Sequence, residues 1–352
     1  MSKQKVIDGN MHYLPTDLFS NEKVMQGFLD CAPFTFGIKA YRAKTPDGKR
    51  DQLVLADRDG NEILNYVDGD YSLEAKLSAM DEAGVDVAIL RMPVWQEWLP
   101  LDMCKYVNDG AAEMCKRSGG RLYANAVLPP WGRKEDIYEL ERCIGELGMV
   151  GVQFAACYGD LFLDNEIFRP YLKVLNEKKV PAVIHHTPGQ NCYANYSEYT
   201  VLRRELGRLM VQATAVGREI YSGMFDTFPN LVFIHTMLGG NWFGNQQILA
   251  PHRAAKKEAM NRLATNVDRE AYDRYMKDNL YFDACHAMSW GSNAVECAVK
   301  QHGADHILLG SSFPVFYEWL ARSVESINAL DVSQEEKDLI LGGNAQRIFK
   351  IQ

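Results

Sequence analysis

The chain has 352 residues, 47% of them hydrophobic and 24% charged, enough for one large α/β barrel or two ordinary domains around a sizeable core. A net charge of −8 with no Lys/Arg block argues against a nucleic-acid partner. No run nears the ~18 consecutive apolar residues that span a membrane, and "MSKQKVIDGN" lacks the apolar core of a signal peptide, so the cytoplasm is the expected location.

The first element is "KVIDGNMH", a short apolar run closed by His12. Residues 16–71 then interrupt the first unit. They are polar, and "TPDGKRDQLVLADRDGNEILNYVDGD" predicts a β-hairpin around Asp59–Gly60. "YSLEAKLSAMDEAG" follows, with a helical stripe at Leu73, Leu77 and Met80 that stops at Gly84. From there strands and helices alternate. The strand-like runs are "VDVAILRMP", "RLYANAVLPP", "MVGVQFAA", "VPAVIHHTPG", "NLVFIHTMLGG", "NLYFDACHA" and "ADHILLGSSFP". Helical patterns separate nearly all of them, among them the long "SEYTVLRRELGRLMVQATAVGREIYSGMF" and a charged stretch over about 245–278, and two more close the chain.

Eight short apolar strands, nearly all followed by helices, suit a parallel sheet covered by helices and predict a closed (β/α)8 TIM barrel over residues 1–352. A doubly wound open sheet is the alternative, but no G-x-G-x-x-G follows an early strand. Loops after barrel strands build the active-site face, so the 16–71 insertion is expected to cover it. The eight Cys are scattered with no C-x-x-C pair, as expected of reduced, mostly buried residues.

Reactive groups of such a barrel sit where strands end. Those positions hold Asn10 and His12, Arg91, Gln153, His185 and His186, His235, Asp283, Cys285 and His286, and Ser311 and Ser312. Five of the eight His fall there; His252, His302 and His306 lie elsewhere. Five imidazoles on one face can coordinate a divalent ion, act as a base, or both. Cys285 is a weaker candidate nucleophile, because the adjacent His286 would point to the opposite face of a strand.

The stretches "IDGNMHYLP", "LEAKLSAMDEAGVDVAIL", "ERCIGELGMVGVQF", "AVIHHTPG", "LVFIHTMLGG", "HILLGSSFP" and "ILGGNAQRIF" resemble, in order and spacing, the aminocarboxymuconate-semialdehyde decarboxylase branch of the amidohydrolase superfamily. That resemblance implies metal ligands at His12 and His185 and a proton-handling catalytic group at His235. In the family, strand 1 carries H-x-H and a G-[ST]-D-[FY]-P stretch follows strand 8. Here Asn10 and Ser312 replace a His and an Asp, both as weaker neutral ligands. Two outcomes follow: a weak divalent site (Zn2+ or Mn2+) with neighbouring His and water completing the shell, or a metal-free site of hydrogen-bonding groups. No organic cofactor is expected.

The resemblance implies a small cyclic or aromatic-derived substrate. The usual Arg before the first helix is absent from "EILNYVDGDYSL", and Arg91 is the candidate replacement. Loss of the Asp and of that Arg favours a neutral ring, a cyclic diketone or lactone opened by hydrolysis, with His235 moving the proton. The alternatives are non-oxidative decarboxylation of an aromatic or muconate-type acid by the same residues, and a catalytically inactive ligand-binding barrel. Asn10, Arg91, Trp95, His186, His286 and Ser312 are the expected substrate-binding residues, with Trp98, Trp242, Tyr13 and Phe313 as further candidate pocket walls. Family habit and aromatic loops favour a homo-oligomer.

Overall fold

The computed structural model of the chain describes residues 4–32, 37–57, 59–93, 98–187, 199, 201–251 and 267–351, with side chains omitted at 203 and 204. Trp95, His252 and Cys192 lie outside the described residues, as do residues 252–266 of the charged stretch between 245 and 278.

All eight expected strands form, each at its expected place. β1 (Ile7–His12) is followed by β2 (Lys39–Lys44), β3 (Asp51–Ala56) and β4 (Glu62–Val67), which make a separate antiparallel sheet. The hairpin around Asp59–Gly60 joins β3 to β4. β5 (Val87–Arg91), β6 (Leu122–Val127), β7 (Gly151–Ala155), β8 (Ala182–His185), β9 (Phe233–His235), β10 (Leu280–Asp283) and β11 (Ile307–Leu308) then complete the main sheet in the order β1-β5-β6-β7-β8-β9-β10-β11. Its strands pair in parallel. The ring closes where Gly9 N donates to Leu309 O (2.8 Å) and Ser312 N to Asn10 O (2.6 Å). This is the (β/α)8 barrel.

Strand alternation decides which side chains reach the lumen. Ile7, Ile89, Val183, Ile234, Tyr281 and Leu308 pack together inside the barrel. Their neighbours Ala88, Leu90, Phe233 and Phe282 pack outward, in the cluster shared with the helices. Continuing each strand by two residues places Arg91, His185 and Asp283 on the inner side at the mouth, and places His235 on the outer side.

Three helices matter for the mouth. α1 (Glu22–Asp30) lies in the insertion, α2 (Leu73–Ala83) follows it, and Gly207–Tyr221, here α3, lies between β8 and β9 in the chain. The insertion shares its core with the end of β1: Leu53, Leu55, Ile63 and Tyr66 belong to the same cluster as Met11, Tyr13 and Leu14. On α2 the stripe read from the sequence is modified. Lys76 is buried while Leu77 is only half-buried, because the Lys76 ammonium donates to His12 O (2.6 Å) and sits 5.2 Å from the Tyr71 ring centre. Burial pulls Lys76 down to about 7.

Candidate active site

Asp283 organises the mouth. Its Oδ2 accepts from Asn10 Nδ2 (3.2 Å) and Arg91 Nη1 (3.0 Å), and its Oδ1 from the amides of Met237 (3.1 Å) and Cys285 (3.1 Å). A carboxylate has about four lone-pair sites, so Asp283 is fully used. The Met237 amide reaches it from a left-handed turn, with φ of 54° at Met237, 50° at Leu238 and 68° at Asn241. Gly240 belongs to the same turn, where a Cβ would lie 1.9 Å from Leu209 O, so no other residue fits there.

Around this hub the imidazoles form a chain. The rings of His12 and His185 are 5.6 Å apart, those of His185 and His186 stack at 4.2 Å, and His186 and His286 are 6.3 Å apart. His286 sits at φ 65°; its Nε2 meets Ser312 Oγ (3.1 Å) and its ring stacks on Trp319 at 3.7 Å. Ser312 is itself left-handed, at φ 60°. Behind it, Asp8 takes the amides of Asn10 (2.9 Å) and Ser311 (3.0 Å) and pins the Ser311 hydroxyl.

Burial keeps these rings neutral. His185 is pulled down to about 3, first by burial and then by the charges of Arg91 and Arg208. Burial likewise holds His12, His186 and His286 well below the usual imidazole range. Each therefore offers a lone pair rather than a charge. Both nitrogens of His12, Asn10 Oδ1, and Arg91 Nε and Nη2 are buried with no hydrogen-bond partner among the described residues. Unpaired buried polar atoms are costly, and their gathering at one mouth marks where a ligand's oxygens are expected.

Asn10, His12, Arg91, His185, His186, His286 and Ser312 are thus brought together. His235 is not. Ile234 points into the lumen, so His235 turns outward to α3, where its Nε2 meets Glu219 Oε2 at 2.7 Å beside the Phe282 ring. Both partners are buried. Strand alternation thus carries the His235 ring, expected to handle the proton, away from the mouth and toward α3. Other expected walls also turn aside. Trp242 is buried in the helix-facing core, and Tyr13 lies against Gly110. Burial pushes the Cys285 thiol far up, which disfavours the thiolate form.

Three contributors were missed by sequence reading. Arg208 on α3 reaches His186 Nε2 (3.3 Å), Trp319 stacks on His286, and Asp8 fixes the closing seam. A charge within a helical run and a Trp in a terminal helix carry no motif, so only the fold reveals them.

Among the described residues no group of three or more His, Cys, Asp or Glu is arranged to hold a metal. The donors suited to one are His12, His185 and the amide oxygen of Asn10. No helix among the described residues is long and apolar enough to cross a membrane.

A family model described as amidohydrolase matches residues 64–351. The chain is similar to gamma-resorcylate decarboxylase of Rhizobium radiobacter, 27% identical over 316 residues that cover 81% of this chain and 92% of that protein. It is also similar to 2-amino-3-carboxymuconate-6-semialdehyde decarboxylase of Dictyostelium discoideum, 24% identical over 283 residues covering 77% of this chain and 75% of that protein. Its fold is that of a 5-carboxyvanillate decarboxylase from Novosphingobium aromaticivorans, crystallised with manganese and 4-hydroxy-3-methoxy-5-nitrobenzoic acid: TM-score 0.75 and 19% identity, over 98% of this chain and 96% of that one. These relatives favour decarboxylation, the second reaction expected from the sequence, over ring-opening hydrolysis.

Proposed function

This chain belongs to the amidohydrolase family, an enzyme of the hydrolase or C–C lyase kind, and from that premise we propose that it decarboxylates a small aromatic acid without oxidation. The observation that carries this reading is the buried Arg91, held by Asp283 with two donor positions unpaired beside neutral imidazoles. An arginine so placed suits a carboxylate, which it grips in a planar two-point fork. It suits a neutral diketone or lactone poorly.

Decarboxylation breaks the bond between ring and carboxyl carbon. The ring carbon keeps the electron pair and must take a proton as CO2 leaves. We assign its delivery to His286, which would take a proton from water by way of the Ser312 hydroxyl at Nε2 as it gives one up from Nδ1 to the ring carbon. The imidazole is neutral, joined to the Ser312 hydroxyl and flattened against Trp319, so it can hold and pass a proton without moving far. Asn10 Oδ1 is placed to accept from a ring hydroxyl.

A divalent ion fits this site in a reduced form, through His12, His185 and Asn10 Oδ1. Asp283 is spent on Arg91 and Ser312 on His286, so substrate oxygens and water would complete the shell, which suits Mn2+ or Zn2+. Such an ion would polarise a ring oxygen ortho to the carboxylate. The 16–71 insertion, packed on the end of β1, covers the mouth in this reading, and a homo-oligomer remains part of it, read by light scattering.

The test is incubation with 2,6-dihydroxybenzoate and related hydroxybenzoates, measuring released CO2 and the decarboxylated phenol. Arg91→Gln should abolish product while the fold persists. Product formation unchanged in that variant would refute the assignment.

A further inference from the structure

Asn125, on β6, is a carboxamide sealed inside the barrel at 3% exposure. Tyr123, two residues before it, packs against the lumen cluster, so strand alternation turns Asn125 toward the lumen as well. Neither its Oδ1 nor its Nδ2 has a hydrogen-bond partner among the described residues. β5 and β6 pair through Leu90 and Ala124. The next step along both strands sets Arg91 and Asn125 side by side, facing inward.

Glycine keeps the space beside this amide. Asn125 pairs in register with Gly151 on β7, where a Cβ would lie 2.5 Å from Asn125 Oδ1 and 3.1 Å from Phe349 Cε1. Phe349 belongs to the lumen cluster with Ile89 and Val183, so the neighbours on that side are apolar. Gln153, two residues farther along β7, is already occupied: its Oε1 accepts from Met92 N (2.9 Å) and its Nε2 donates to Met92 O (2.8 Å). On Arg91, Nη1 is committed to Asp283 (3.0 Å), whereas Nε and Nη2, the two donors of one guanidinium edge, are unpaired. Nη2 lies beside Gly9, where a Cβ would be 3.9 Å away. An amide and an arginine edge, neighbours in register and both unpaired, cost the empty barrel stability.

We propose that Asn125 is a specificity-determining residue, donating from Nδ2 to a carboxylate oxygen of a substrate held on the Nε–Nη2 edge of Arg91. This rests on the aromatic-acid reading above and adds to it a residue from a strand that reading does not use. A carboxylate has about four lone-pair sites. The arginine edge fills one on each oxygen and leaves each oxygen a further one. Asn125 fills one of these from the strand next to Arg91. The apolar neighbours exclude water from the contact, which strengthens it. The same side chain therefore weakens the empty barrel and holds the loaded one.

The test is calorimetric titration of the full chain with benzoate and with phenol, which keeps a ring and lacks the carboxylate. Asn125→Leu, similar in size and apolar, should melt no lower than the unaltered chain, because it removes an unpaired amide. It should bind benzoate roughly tenfold to hundredfold more weakly, the worth of one hydrogen bond to a charged group, and phenol as before. A general packing defect would weaken both ligands alike. Benzoate affinity unchanged in Asn125→Leu, or an equal loss for phenol, would overturn the inference. A crystal structure of the unaltered chain with benzoate gives the answer even if the variant fails to fold. Asn125 Nδ2 is expected within about 3.2 Å of a carboxylate oxygen. Benzoate on Arg91 with Asn125 out of reach sinks this inference alone; no binding of benzoate to the unaltered chain sinks the aromatic-acid reading as well.

Discussion

Replacing His235 separates its structural role from a chemical one. The imidazole Nε2 shares one buried hydrogen bond with Glu219 Oε2, at 2.7 Å, and Glu219 Oε1 has no hydrogen-bond partner among the described residues. His235→Ala removes that bond and opens a ring-sized hole. The bond is worth about 1–3 kcal/mol and the hole adds about 1–2 kcal/mol. At ~2.1 cal/mol/K per residue of unfolding entropy, each kcal/mol lowers the melting temperature of a chain this long by about 1.4 °C, so a fall of roughly 3–7 °C is expected. His235→Gln can place an amide nitrogen near the position of Nε2 and should lose less. Product formation should stay within about tenfold of the unaltered rate in His235→Gln, because the side chain faces α3. His286→Gln should cost about 10²–10⁴ in rate, the usual worth of a positioned proton carrier. The assay pairs a thermal melt with a steady-state rate on the same preparations. If His235→Gln melts normally yet loses more than about a hundredfold in rate, the outward placement of His235 is wrong and it handles the proton.

Asp283→Asn should be more damaging than any imidazole change, since it strands the buried Arg91 charge; a loss of about 3–5 kcal/mol, read by urea unfolding, is expected. Acid should unfold the protein early. His302 is pulled down to about 3 by burial, and the mouth imidazoles shift in the same direction. A His whose folded value lies below its unfolded value of about 6.5 takes protons in the unfolded chain first, so stability falls as pH drops from about 6.5 toward the folded value, by about 1.4 kcal/mol per pH unit for each such ring. Melts between pH 7.5 and 5 should show that fall; a flat profile would contradict the buried neutral rings. Asn10→His should tighten Mn2+ binding at least about tenfold by adding an imidazole donor, measured by titration of chelator-treated protein; unchanged affinity would place the metal elsewhere. Gly310→Ala should slow the reaction, because its Cβ would lie 2.9 Å from that of Asn10.

Strand number, order and parallel sense were legible because apolar runs and helix stops recur with regular spacing. The mouth was legible as a set, since barrel chemistry sits at strand ends. Side-chain direction within the set was not legible. "FIH" and "VIH" look alike, yet His185 follows two residues after inward-facing Val183 while His235 directly follows inward-facing Ile234. One residue of phase reverses the outcome. Arg208 and Lys76 escaped notice because a charge on a helix is ordinarily read as solvent-facing; here hydrogen bonds to His186 and to the His12 carbonyl hold them inside. Asn10 and Ser312 stand where the resemblance expects a His and an Asp, and both lie at the mouth. Asp283, the carboxylate present at the mouth, was seen only as a strand-end residue, because its pairing with Arg91 joins positions far apart in the chain.

The central claim is the bond that breaks. With a carboxyl-labelled hydroxybenzoate such as 2,6-dihydroxybenzoate, the account predicts label in CO2 and an intact phenol ring, in equal amounts. Label retained in a ring-opened acid, with no CO2, would contradict it.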